Sequence, residues 1–407
     1  MLTLAGARCE ATPWRRTVRG AERSGAVIAV IAALLGASPG PAGAAPAIAV
    51  PAIVAVAPGG IQFDLSPAED LLAIWKQRRG ASLRGTKQST GGRHEAPDAA
   101  LRLAAGLPYR TLRSFLADQF RCGLTNDDLV RALADPDSGS CGVALHFPYR
   151  DRGDIDSLVH EIRRRAPELR AGAAARASEY LPPGAARRPI RVWFLVATQY
   201  TFDAVTLRAD AEGDSTPVVL VNLSDVLTYT GGTRERVDAL AHVLSHETFH
   251  AALRQIQPQS RGWSGFTGRP RDAFTYIAAI MLDEGVAHYI DWKQRAGADT
   301  LFAAKPSSRE RFAFSQLAIA CRRVAGGSME GSDRLEALEL AANGPLWSKY
   351  GAVTGMFAAY RIERALGRDA LIRAVIDGPP AFLRLYEQAA LKDPELKPLP
   401  SELAAVK

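Results

Sequence analysis

Apolar positions recur along this chain with two different periods. From Ser66 to about Tyr180, and again from Thr233 onward, they return every three or four residues, the spacing of one helix face. Between these stretches lie Ile190-Arg-Val-Trp-Phe-Leu-Val-Ala197, Phe202–Leu207 and Val218-Val-Leu-Val-Asn-Leu223. They are rich in β-branched and aromatic residues, and Pro189 and Pro217 bound two of them, so three strands are predicted. The fold class is therefore α+β and mostly helical, with a small β-sheet ahead of a long helix.

Local chemistry sharpens the helix boundaries. Ser66 is expected to cap the first helix, Pro67 suits its first position, and Glu69 completes a capping box. Leu71, Leu72 and Trp75 supply its apolar face. Residues 81–98 are polar and read as a loop. Pro108, Asp135-Pro136, Phe147-Pro148 and Pro182-Pro183 break the following helical stretch. Gly231-Gly232 precedes a helix with Thr233 as its expected cap and Val237, Leu240, Ala241 and Leu244 as its buried stripe. Residues 256–271 carry three glycines and two prolines and read as an inserted loop. A second long helix is expected from about Asp272 to Arg295, and the C-terminal part is helical with Pro345, Pro379 and Pro380 as punctuation.

The first 44 residues differ in kind. Arg8, Arg15, Arg16, Arg19 and Arg23 precede the apolar run Ala26–Ala37, which is too short to span a bilayer comfortably. Ala42-Gly43-Ala44 follows as a small-residue cleavage site, so 1–44 reads as an export signal. A periplasmic or secreted location is expected, with no membrane span after cleavage. The predicted organisation is signal 1–44, an Ala/Pro/Val-rich linker 45–60, an N-terminal helical region 61–187, a core 188–298 and a C-terminal helical region 299–407.

Charge excludes one class of partner. The chain's net charge is +7, and beyond residue 44 it carries 45 basic against 41 acidic residues, too balanced for nucleic acid. Beyond the signal with its Cys9, Cys122, Cys141 and Cys321 remain, an odd number that leaves at least one thiol free or paired between molecules. Cys122 and Cys141 are spaced to close a short loop, and three unpaired thiols are the equal alternative. None has zinc-finger spacing.

The candidate chemistry lies in His246-Glu247-Thr248-Phe249-His250. Two histidines four apart on a helix project from one face, which suits two ligands of one zinc ion. Glu247 between them is placed to act as general base toward a zinc-activated water. A catalytic zinc needs a third ligand, and Asp283-Glu284-Gly285-Val286-Ala287-His288-Tyr289 on the next helix supplies candidates. Glu284 shares a face with Ile277 and Met281, where a buried carboxylate is costly unless it binds something. His288 is the alternative third ligand. His242, one turn before His246, is a fourth ligand or a supporting histidine. Tyr289 and Tyr350 are candidate donors to the oxyanion formed on peptide attack. His160-Glu161 begins a similar pattern, but Arg164 ends it, and His160 reads as a surface residue.

His-Glu-x-x-His followed by Glu-Gly-x-Ala resembles the gluzincin metallopeptidases, which include thermolysin. The resemblance implies Zn2+ held by His246, His250 and Glu284, with Glu247 as base. The spacing is longer than in the best-known members, with 33 residues between His250 and Glu284. His288 stands where thermolysin-like enzymes often carry an orienting Asp, which leaves Asp283 as an alternative orienter. The wider layout, including Asp64-Leu-Ser-Pro-Ala and Tyr350–Glu363 followed by Gly367-Arg368, is similar to a bacterial family described as zinc-dependent peptidases. The implied partner is a peptide or protein substrate, with Val218–Leu223 as the strand expected to pair with it. A zinc-dependent hydrolase of a non-peptide bond, and an inactive zinc-binding exported protein, are the competing readings.

Overall fold

We describe a computed structural model covering residues 60–83, 98–120, 123–135, 147–199, 201–209, 216–266, 272–295, 297–326 and 331–406. The signal and linker expectations for 1–59, and Cys9, Cys122 and Cys141, lie outside the described residues.

The sheet has four strands, one more than the sequence pattern predicted. They are β1 (Ile61–Asp64), β2 (Ile190–Leu195), β3 (Ala204–Arg208) and β4 (Pro217–Asn222), in the order β1-β2-β4-β3. β1 pairs parallel with β2, with Ile61 opposite Ile190, and β2 pairs parallel with β4, with Val192 opposite Val219. β3 runs antiparallel to β4, with Thr206 opposite Val219. β4 therefore has a neighbour on each side. The expectation that Val218–Leu223 offers a pairing edge is corrected, and among the described residues β3 is the antiparallel edge strand. All six residues of β4 are buried, as an interior strand covered on both faces requires.

Helices α1 (Ser66–Leu83), α2 (Asp98–Ala105), α3 (Leu107–Phe120) and α4 (Asn126–Ala134) follow β1, and α5 (Arg152–Ser178) leads to β2. The α1 start differs from expectation. Asp64, not Ser66, does the capping, since its Oδ1 accepts from Ser66 N (2.9 Å) and Ser66 Oγ (2.6 Å). Glu69 pairs with Arg163 of α5 instead of closing a capping box. Tyr109 of α3 donates its hydroxyl to the Val196 carbonyl at the end of β2 (3.2 Å).

After the sheet come α6 (Thr233–Ile256) and α7 (Ala273–Trp292). α6 starts from Gly232, whose N–H donates to Glu235 Oε2 (3.0 Å), so the expected Thr233 cap lies one residue inside the helix. Asp272 caps α7 by accepting from Phe274 N and Thr275 N. The described part of the expected loop is docked on the C-terminal region. Trp263 is buried and donates Nε1–H to the Val375 carbonyl (2.9 Å).

The C-terminal helices are α8 (Ser308–Ala325), α9 (Gly331–Glu339), α10 (Tyr350–Leu366), α11 (Arg368–Asp377) and α12 (Pro379–Lys392). α10 lies directly on α7. A Cβ on Gly285 would stand 2.5 Å from the Gly355 carbonyl carbon, and one on Gly355 would stand 1.9 Å from the Met281 carbonyl oxygen. Only glycines allow two helix backbones this close. No helix of the described residues is long and apolar enough to cross a membrane.

Candidate metal centre

α6 buries one face through Val237, Leu240 and Leu244, and that register turns His246, Glu247 and His250 inward, each no more than 9% exposed. α7 brings its own face opposite, held in place from behind by α10 through Gly285. His246 Nε2 and His250 Nε2 lie 3.0 Å apart. Glu284 Oε2 is 3.6 Å from His246 Nε2, and Glu284 Oε1 is 3.6 Å from His250 Nε2. Among the described residues these three form the cluster able to hold a metal ion. Zinc bonds of about 2.0–2.1 Å at tetrahedral angles put donor atoms about 3.4 Å apart, so both the donor set and the separations fit zinc.

The surroundings support that donor set. His250 Nδ1 is 2.6 Å from Asp283 Oδ1, which fixes the ring and leaves Nε2 for the cluster. Burial works against a charged His250, yet Asp283 and Glu284 outweigh it and raise its pKa well above the ordinary value. Burial likewise opposes charge on Glu284, but His250 and His246 hold its pKa well below the carboxylate range. The paired carboxylates thus give the pocket a fixed demand for positive charge. Glu247 Oε1 lies 4.0 Å from His246 Nε2, while Oε2 accepts from the Thr206 hydroxyl at 2.7 Å.

The remaining sequence candidates separate. His288 stands beside the cluster, its ring centroid 4.6 Å from that of His246 and its Nε2 3.9 Å from Glu284 Oε2. Both its ring nitrogens are buried without a hydrogen-bond partner among the described residues. Burial, then His246 and Lys349, hold it well below the ordinary imidazole pKa. His242 faces Asp291 instead, with Nδ1 3.7 Å from Oδ1. The two tyrosine hydroxyls are directed elsewhere. Tyr350 donates to the Ala337 carbonyl (2.9 Å), and Tyr289 packs against Tyr180 and Phe302, with burial and the nearby Glu363 carboxylate pushing its hydroxyl's pKa up. A hydroxyl already committed to a backbone carbonyl, as that of Tyr350 is, is not free to meet an oxyanion. His160 is exposed on α5.

Thr206 is the residue the sequence pattern did not single out. Period-two alternation places it on a strand, but nothing local tells that this strand crosses the motif helix.

The fold and cluster define a zinc-site protein, and the family comparison agrees. The family model described as "Putative zinc dependent peptidase (DUF5700)" matches residues 144–395, and the chain belongs to that family. Zinc is the cofactor that the family description and the His246–His250–Glu284 cluster share. No curated protein and no solved structure matches the chain.

Proposed function

We propose that this protein is an exported zinc metallopeptidase of the gluzincin type, acting on peptide or protein substrates. The observation that carries the reading is the convergence of His246 Nε2, His250 Nε2 and a Glu284 carboxylate within 3.6 Å, with the Glu247 carboxylate beside them. Bound zinc supplies Lewis acidity, polarising a carbonyl and acidifying a water. The chain does the rest. Asp283 orients His250, and Glu284 completes the ligand set. Glu247 accepts the proton of the attacking water and hands it to the leaving amine. The free edge of β3 pairs with an extended peptide, since Asp203 and Ala209 already direct their backbone groups to the β4 side. Alternation leaves those of Ala204 and Arg208 facing outward, while the Thr206 carbonyl already accepts from Arg254 Nη1 at 2.7 Å.

One preparation tests this. Protein recovered from the exported fraction is expected to begin after Ala44, to hold one zinc per chain and to cleave unstructured polypeptide until chelated. Glu247→Gln is expected to keep its zinc and lose about 10²- to 10⁴-fold in kcat. Full hydrolysis by that variant sinks the assignment. Cleavage confined to ester or sugar-amide substrates would move the reading to a non-peptide bond.

A further inference from the structure

Glu247 is reached from outside its own helix. Thr206, 2% exposed on the edge strand, donates its hydroxyl to Glu247 Oε2 at 2.7 Å and lies 3.1 Å from the Glu247 backbone carbonyl. The backbone carbonyl of the same threonine accepts from Arg254 Nη1 at 2.7 Å, two turns further along α6. Strand and helix are therefore fastened to each other on both sides of the histidine pair's second member.

The consequence for the carboxylate is specific. A glutamate on a helix has three rotatable side-chain bonds and two equivalent oxygens. With Oε2 held by Thr206, Oε1 is the oxygen left facing His246, 4.0 Å from Nε2. Freezing a glutamate side chain costs rotamer freedom, and here folding meets that cost before any substrate arrives. Thr206 also belongs to the strand at the edge of the sheet formed by the described residues, so the base and that edge strand are tied through one residue.

We infer that Thr206 is the positioning residue for the general base: its hydroxyl anchors one oxygen of Glu247 and aims the other at the metal ligands. The inference rests on the peptidase reading above. It assigns no proton transfer to Thr206 itself, since the hydroxyl acts only through the carboxylate.

The test compares Thr206→Val, which keeps the shape and removes the hydroxyl, with Thr206→Ser, which keeps the hydroxyl and removes a methyl group. Both are made in the full chain loaded with zinc. Peptide kinetics and acetohydroxamate binding by calorimetry are the readouts. A hydroxamate chelates zinc through two oxygens and passes its proton to a neighbouring carboxylate, so its affinity reports the aim of Glu247 without any substrate. Thr206→Val is expected to lose about 10- to 100-fold in kcat and about tenfold in hydroxamate affinity. KM and zinc content should stay within twofold. Thr206→Ser is expected to recover at least a third of the wild-type kcat and the full hydroxamate affinity. The inference is overturned if Thr206→Val keeps both values within twofold, or if Thr206→Ser falls as far as Thr206→Val, which would assign the effect to methyl packing. Should Thr206→Val fail to fold, Thr206→Ser with wild-type hydroxamate affinity supports the inference and Thr206→Ser with a tenfold loss overturns it. Failure of the peptidase reading looks different: wild type and Glu247→Gln would then cleave peptides equally or not at all, whatever the threonine variants do to hydroxamate binding.

Discussion

At the residue scale, the proposal of Glu284 as third ligand rests on distances. Glu284 reaches both imidazoles at 3.6 Å, whereas His288 Nε2 lies 3.9 Å from Glu284 Oε2 and stands outside the His246–His250–Glu284 cluster. Glu284→Ala is therefore expected to abolish stoichiometric zinc binding, while His288→Ala retains one zinc per chain, measured by metal analysis after dialysis. Zinc loss by His288→Ala with retention by Glu284→Ala would reverse the assignment. His246, Glu247 and His250 were legible in the sequence because their chemistry needs only the helical repeat. Glu284 was legible as an unusual carboxylate on an apolar face, and Asp283 only as one of two possible orienters. Its contact with His250, 33 positions away in sequence, depends on how two helices lie together. Thr206 meets Glu247 across 41 residues through a strand-to-helix crossing, and no local pattern encodes that. Cys321 is buried and unpaired, and burial pushes its thiol up to about 12, which marks it as packing, not chemistry.

At the element scale, the position of Glu284 depends on how closely α10 approaches α7. Gly285 and Gly355 meet backbone to backbone, and a methyl group on Gly355 would fall 1.9 Å from the Met281 carbonyl oxygen. Backbone cannot swing aside as a flexible side chain would, so the helices must separate. Gly355→Ala is expected to destabilise the protein by about 3 kcal/mol and to weaken zinc binding, because Met281 lies one turn before Gly285 beside the ligand. Gly172 in α5 is the matched control, since nothing lies within 4 Å of a Cβ there. Gly172→Ala should be neutral or stabilising by up to about 1 kcal/mol. Denaturant midpoints of the two variants check this, and equal midpoints would show that the crossing tolerates a methyl group. The sequence displayed the glycine next to Glu284 and the helical pattern around Gly355 but not that they face each other. It revealed the three strands near residues 190–223 through their β-branched runs. β1 was missed because four residues ahead of a strong helix signal carry no period of their own. That β4 is interior followed from pairing order, which strand composition does not fix.

At the scale of the whole molecule, the family match begins at residue 144, yet the described residues ahead of it complete the sheet and belong to the same compact unit. β1 covers one edge of β2, and three aromatic contacts cross from the N-terminal elements to retained residues. Phe63 meets Phe194 at 5.0 Å, Trp75 meets Tyr149 at 5.4 Å, and Phe115 meets Phe202 at 5.1 Å between ring centroids. Val196 would also lose the hydroxyl of Tyr109. Exposing three aromatic side chains costs about 1.5–3 kcal/mol each, a sum comparable with the about 5–15 kcal/mol that holds an ordinary domain together. The uncovered edge of β2 adds a row of unpaired backbone groups, which invites association between copies. A chain starting at residue 144 keeps every zinc-site residue, including Thr206, and is still expected to sediment as aggregate or to melt without cooperativity. Restoring residues 60–143 should recover a cooperative melt and zinc binding together. A cooperative melt of the shortened chain within about 5 °C of the longer one, at the roughly 2–4 °C per kcal/mol of larger domains, would mean that these elements contribute no more than about 2.5 kcal/mol. The metal centre would then be supported by the helices behind α7 alone, and β1 would be an addition to the sheet, not a condition for it.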